Sequence, residues 1–129
     1  MPTKYDELKQ ALTTSPRRWL VTGCGGFIGS ALVEQLLALG QDVVGVDSFI
    51  TGHRHNVDAV GTGKPGFRFI EGDLRDPAVA AAACDGRELV LHQAALGSVP
   101  RSIADPVSSH LHNVDAYLGV LAAARAAGV

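Results

Sequence analysis

The residues best suited to chemistry stand together in the stretch Thr22-Gly23-Cys24-Gly25-Gly26-Phe27-Ile28-Gly29. An apolar run enters it and an amphipathic run leaves it, the setting of a strand that turns into a helix. Gly23 permits a tight exit from the strand, Gly26 presents bare backbone to an approaching charged group, and Gly29 lets the helix lie close on the sheet. The first N–H groups of such a helix, at Phe27 and Ile28, have no internal acceptor and suit an anion such as a pyrophosphate. Asp47 ends the next apolar run, about 20 positions further on, where a carboxylate meets the ribose hydroxyls of a dinucleotide. Asp47 would repel a 2′-phosphate, so NAD is expected rather than NADP. Arg54 could temper that repulsion, although a loop arginine is ordinarily just solvated. Ser30 follows Gly29 and no Lys-Ser/Thr pair closes the loop, which excludes a nucleoside-triphosphate P-loop.

Other chemistry-bearing residues are weaker candidates. His53 and His55 flank Arg54 without a third ligand, so no metal site is expected. His92 reads as a hydrogen-bonded residue at a strand end rather than a base. Cys24 sits in the glycine turn, where helix amides could lower its pKa, but it reads as a small side chain that fits. Tyr5 and Lys9 have Tyr-x-x-x-Lys spacing but precede the first strand. Tyr117 is followed four residues later by Leu121.

Hydrophobic periodicity supplies the elements that must position these groups. Thr3 caps a short helix to Leu12, with Tyr5, Leu8 and Leu12 on one face. Strands are expected at Arg17–Thr22, Asp42–Asp47, Phe67–Glu71 and Glu88–His92. A helix from Phe27 to Leu39 is stopped by Gly40. Residues 51–66 read as a loop with a helical turn around Val57–Val60. Asp76-Pro77 and Asp105-Pro106 are helix-start signals, for a helix to Cys84 and for one from Val107 to Ala127, with a loop between His92 and Pro106. Strands apolar on both faces and alternating with helices imply a parallel sheet covered on both sides, an α/β class. Residues 1–16 form a helical extension and residues 17–129 the nucleotide-binding unit.

Composition narrows the class further. Aromatics are 5% of 129 residues and apolar residues 47%, so the core must be aliphatic. The net charge of -2, without a basic block, excludes a nucleic-acid footprint. No apolar run approaches a membrane span, and the charges at Lys4, Asp6, Glu7 and Lys9 exclude a signal peptide at the N-terminus. Cys24 and Cys84 lack metal-ligand spacing. A cytoplasmic protein is expected.

The spacing Gly23-x-x-Gly26-x-x-Gly29 resembles the extended short-chain dehydrogenase/reductases, the NAD-dependent epimerase/dehydratase family. Asp47-Ser48-Phe49 with Thr51-Gly52 is similar to its adenosine-side segment, with Ser48 in place of the usual Asn. Gly72-Asp73-Leu74-Arg75-Asp76 resembles a segment whose first Asp contacts the adenine amino group. His92-Gln93-Ala94-Ala95 resembles the stretch that ends the fourth strand beside the cofactor, and Asn113 matches a helical Asn that holds the active-site loop. The resemblance covers residues 17–129 and implies a Rossmann-type sheet of order 3-2-1-4, truncated after the fourth strand and its helix. The run Gln93 to Ile103 looks like the UDP-N-acetylglucosamine 4-epimerases, which also carry an N-terminal helix. Sugar-nucleotide dehydratases carry His where this chain has Ser98 and Asp where it has Pro100. That resemblance places Gly97, Ser98 and Arg101 near a UDP-sugar; the lesser alternative, on the residues alone, is that Ser98–Ser102 is just a polar loop capped by prolines.

The family's Ser/Thr and Tyr-x-x-x-Lys acid/base group is absent, so no catalytic residue is assigned and a UDP-sugar would bind only with the missing half, in a homodimer. A dehydratase or reductase of the same family, or a non-catalytic NAD-binding module, remain the alternatives. The fourth strand's outer edge, with Leu89 and Leu91, and a face of the last helix lack neighbours. The isolated chain is therefore expected to self-associate or to be marginally stable; elution as a well-dispersed monomer on size exclusion would contradict this.

Overall fold

A computed structural model describes all 129 residues. Four strands, β1 (Arg18–Thr22), β2 (Asp42–Asp47), β3 (Phe67–Glu71) and β4 (Leu89–His92), form one parallel sheet of order β3-β2-β1-β4. The register sets Leu20 beside Val44 and Val90, and Val21 beside Gly45 and Leu91. Because side chains alternate across a strand, the sheet feeds two cores. Leu20, Val44 and Val46 face one way, toward α4 (Pro77–Cys84) and α7 (Ala116–Ala127), whose Ala80, Ala83, Cys84, Ala116 and Val120 are buried. Val21 and Val43 face α2 (Phe27–Ala38) and α3 (Arg54–Val60), meeting Val33, Leu36 and Val57. Small side chains on α4 and α7 let those helices approach closely, which is how an aliphatic sequence with few aromatics fills its interior.

The order of elements, the sheet and the caps at Thr3, Asp76 and Asp105 match the sequence expectation. Three segments differ. The loop after β2 contains α3, two turns long, because Val57 is buried against α2 and Asn56 donates through Nδ2 to the Gly25 carbonyl at 2.8 Å. Residues Val99–Ala104, expected as loop, form α5: Ser98 caps it by accepting from the Arg101 N–H, and Pro100 lies in its first turn, where proline's missing N–H costs nothing. The last helix is not continuous. It begins as α6 (Pro106–His110), widens into a π turn at Leu111–Asp115 and resumes as α7. Hydrophobic period alone does not reveal a π turn, which adds one residue to a helix and is frequent at functional positions.

The N-terminal helix α1 (Lys4–Thr14) buries none of its residues; Tyr5 and Leu8 are exposed. Its tie to the sheet is the buried Gln41 amide. Gln41 Oε1 accepts from the Arg17 N–H at 2.9 Å and from Trp19 Nε1 at 3.0 Å, and Nε2 donates to the Leu12 and Leu39 carbonyls at 2.9 Å. All four bonds an amide side chain can make are satisfied, so one residue joins α1, β1 and the end of α2. β4 pairs only with β1, and Tyr117, Leu118 and Leu121 are exposed on α7.

Gln41→Leu leaves the part-buried donors of Arg17 and Trp19 and the Leu12 and Leu39 carbonyls without their partner. It should lower unfolding stability by about 2 kcal/mol or more in urea melts, and hydrogen exchange should report early release of α1.

Candidate functional site

β1 ends at Thr22, which is wholly buried, and its hydroxyl organises the end of the sheet. Oγ1 accepts from the N–H of Gln93 at 2.9 Å and of Ala94 at 3.1 Å, and lies 2.8 Å from His92 Nδ1. With two amides already donating to it, the hydroxyl proton goes to Nδ1, leaving the imidazole neutral with its hydrogen on Nε2. Burial lowers the His92 pKa below its usual value, in keeping with that state. His92 is thus a structural hydrogen-bonding residue, its ring 5.3 Å from that of Tyr117.

Gly23 follows at φ +67°, and a Cβ there would lie 2.7 Å from the Ala94 nitrogen. The turn and the exit of β4 therefore touch backbone to backbone. Gly29 serves a different contact from the expected helix-on-sheet approach: its Cβ would overlap the Gly23 carbonyl, so it seats the first turn of α2 on the glycine turn itself. No acceptor takes the N–H groups of Phe27, Ile28 and Gly29. The side chains of Phe27 and Ile28 are exposed, so these residues offer backbone donors rather than a wall.

Asp47 ends β2 facing this turn. Its Oδ2 accepts from the Gly25 N–H and its Oδ1 from the Phe49 N–H, both at 2.8 Å. Each carboxylate oxygen keeps a second lone pair for a ligand hydroxyl. Gly25 and Gly52 make this possible, since a Cβ on either would lie about 3 Å or less from the Asp47 carboxylate. Phe49 holds φ +59° and covers Gly25, its ring 5.4 Å from Phe69.

These elements enclose an open cleft with an interior volume of about 100 Å³. Gly23, Gly26, Asp47, Ser48, Thr51 and Gly52 line one side; Asp73, Leu74, Gln93, Ala94 and Ala95 line the other. The predicted residues Phe27, Ile28, Gly29 and Phe49 border it without lining it. Gly97, Ser98 and Arg101 stand apart, where Arg101 Nη1 donates to the Gly97 carbonyl at 2.7 Å. Asp73 is held by the Arg75 guanidinium, at 2.6 to 3.1 Å, which keeps its pKa below the usual carboxylate value. Asn113, on the π turn, clamps Leu96 at both backbone atoms: Oδ1 accepts its N–H at 2.6 Å and Nδ2 donates to its carbonyl at 2.9 Å.

Several contributors are not apparent from sequence. Thr22 and Gly25 lie inside the glycine stretch, yet their partners at Gln93, Ala94 and Asp47 are remote. His112 lines the cleft from the π turn, its Nδ1–H donating to the Ser108 carbonyl at 2.9 Å; no local signal marks it. Cys24 is buried beside Asp47 as a small side chain that fits the turn, and desolvation followed by that negative charge pushes its thiol up to about 12. One expectation is corrected. Arg54 is not a solvated loop residue: it opens α3, with Nη2 2.6 Å from Glu71 Oε2 and its guanidinium 4.7 Å from the Phe49 ring centre. His53 and His55 stack at 5.2 Å, and no group of three potential ligands forms. No helix is long and apolar enough to cross a membrane.

A family model described as "NAD dependent epimerase/dehydratase family" matches residues 19–129. The UDP-glucose 4-epimerase of Lacticaseibacillus casei is 38% identical over 111 residues, 84% of this chain and 32% of the relative. Among solved structures, dTDP-glucose 4,6-dehydratase of Streptomyces venezuelae, with NAD bound, has a TM-score of 0.80 at 39% identity, covering 87% of this chain and 37% of that one. UDP-N-acetylglucosamine 4-epimerase of Methanobrevibacter ruminantium has a TM-score of 0.79 at 30% identity, covering 88% and 36%. The chain thus spans about a third of the length of these relatives.

Protonation of His92 would remove the acceptor for the Thr22 hydroxyl. Its folded pKa is depressed, so the unfolded chain takes up the proton first as pH falls. The stability present above the unfolded value, about 6.5, should decline as pH drops through and below it. His92→Asn, whose Oδ1 can accept from Thr22, should flatten the fall of melting temperature between about pH 8 and pH 5.

Proposed function

The chain belongs to the NAD-dependent epimerase/dehydratase family, and from that premise we propose that residues 17–129 are the NAD-holding portion of a nucleotide-sugar 4-epimerase of the UDP-N-acetylhexosamine type. The observation that carries the cofactor assignment is the joint arrangement of Asp47, pinned by the Gly25 and Phe49 amides, with three unpartnered N–H groups at the start of α2. These groups fit the two ends of an adenosine diphosphate: hydroxyls on the carboxylate and phosphates on the amides.

In this reading Asp47 accepts from the adenosine ribose hydroxyls, with Ser48, Phe49, Thr51 and Gly52 forming the turn around it. Gly23, Gly26 and the amides of Phe27, Ile28 and Gly29 receive the pyrophosphate, whose charge the helix start offsets. Asp73 and Leu74 border the adenine, and the ionised Asp73 is an acceptor for an amino group. Gln93, Ala94 and Ala95 support the nicotinamide half, held by Thr22 from below. NAD supplies a hydride acceptor for transient oxidation at the sugar C4. Proton transfer at the sugar hydroxyl needs an acid/base side chain that this sequence does not contain, so the chain alone should bind cofactor without turnover.

The epimerase assignment and the sugar class rest on the run Gln93–Ile103, where Ser98 and Pro100 replace the His and Asp of the dehydratase pattern. Gly97, Ser98 at the cap of α5, and Arg101 within it are the proposed sugar-side residues. A dehydratase is the second reading, since the Streptomyces venezuelae enzyme, at 39% identity, is as similar to this chain as the Lacticaseibacillus casei epimerase, at 38%. Assays of a longer form with UDP-N-acetylglucosamine and dTDP-glucose separate the two. A homodimer and a cytoplasmic setting belong to the same proposal.

Calorimetric titration tests the cofactor. NAD should bind the chain, and Asp47→Asn, which loses a charged acceptor, should weaken binding by about tenfold or more. An unchanged affinity would remove Asp47 from the site.

A further inference from the structure

A cation stands just outside the cleft lining, one side chain away from the carboxylate proposed to meet the ribose. The His53 N–H donates to the Gly25 carbonyl at 3.0 Å, which fixes the start of α3 against the glycine turn. Arg54 is the first residue of that helix, and its guanidinium lies 4.7 Å from the centre of the Phe49 ring. Phe49 in turn holds Asp47 through its N–H. One side chain therefore separates a guanidinium from the position of the ribose hydroxyls. Asp47 disfavours a 2′-phosphate there, whereas a free arginine would attract one by a bidentate, charge-assisted pair. Which tendency prevails depends on what Arg54 is doing.

In the structure it is engaged. Nη2 donates to Glu71 Oε2 at 2.6 Å, from the end of β3. We infer that Glu71 is a positioning residue for cofactor choice: by holding Arg54 on the Phe49 ring it withholds that cation from a 2′-phosphate and leaves Asp47 unopposed. This rests on the dinucleotide reading of the cleft. Both side chains of the pair are 55% exposed, so the hold is weak in absolute terms and the effect on discrimination is modest. A 2′-phosphate that captured Arg54 would have to displace Glu71 and then sit near two carboxylates.

The test uses the whole chain and three variants, Glu71→Gln, Arg54→Gln and the double substitution, titrated with NADH and NADPH by nicotinamide fluorescence. Melting temperatures check that each variant is folded. Glu71→Gln should raise NADPH affinity by about fivefold, the scale of an exposed ion pair, while NADH affinity stays within about twofold. The gain should vanish in the Arg54→Gln background and shrink at high salt. A ratio of NADPH to NADH affinity unmoved by Glu71→Gln would overturn the inference. So would a gain that survives without Arg54, since that would mark simple loss of negative charge. A parent chain that binds neither dinucleotide would overturn the cofactor reading and this inference with it.

Discussion

The buried Thr22 hydroxyl is the contact on which the site is built. It sits at the last residue of the central strand and accepts the two amides that follow β4. Those bonds draw Gln93 and Ala94 against the glycine turn, where Gly23 leaves just enough room for the Ala94 nitrogen. The C-terminal ends of all four strands line the cleft, and those of β1 and β4 are joined at one oxygen. His92 Nδ1 accepts the hydrogen bond of the hydroxyl, so the Thr22 side chain is satisfied without water. A buried hydroxyl with every bond made is stabilising; one with a missing partner is costly, and the site inherits that sensitivity.

Electrostatics follow from the same geometry. The lining contains two carboxylates, Asp47 and Asp73, with no Lys or Arg among its residues. An anionic pyrophosphate would have to be held by backbone N–H groups and the helix start rather than by side-chain cations. That places the demand on glycine, because only bare backbone allows an approach this close. Gly25 and Gly52 serve the complementary need, making space for the Asp47 carboxylate to receive amide donors. The arginines near the cleft are each committed to an acid: Arg75 to Asp73, and Arg54 to Glu71.

Further out, the π turn and Asn113 fix Leu96, and through it the chain leaving the cleft. At the opposite end of the sheet Gln41 makes a similar clamp between α1, β1 and α2. Two hydrogen-bonded amide side chains, the buried Gln41 and the more exposed Asn113, therefore set the position of the extension and of the loop, while the aliphatic layers supply most of the burial.

Much of this was legible from residue order. Most strand and helix identities, the glycine turn and the acidic residue after β2 have local or short-range signals: apolar runs, capping pairs and fixed spacing; the sheet order follows from the resemblance those motifs carry. Asp76-Pro77 and Asp105-Pro106 each start a helix, and the signal is local because the cap bonds an amide two or three residues on. The folded chain alone decided what depends on distant partners. Thr22 reaches Gln93 across 71 positions and Arg54 reaches Glu71 across 17, distances over which no periodicity operates. The same holds for the π turn that brings His112 to the cleft, for α3, which forms because Val57 finds α2, and for the raised pKa of Cys24, which burial sets. Spacing determines which elements form; tertiary packing determines which atoms meet, because each of those contacts exists only once two separate elements are in place.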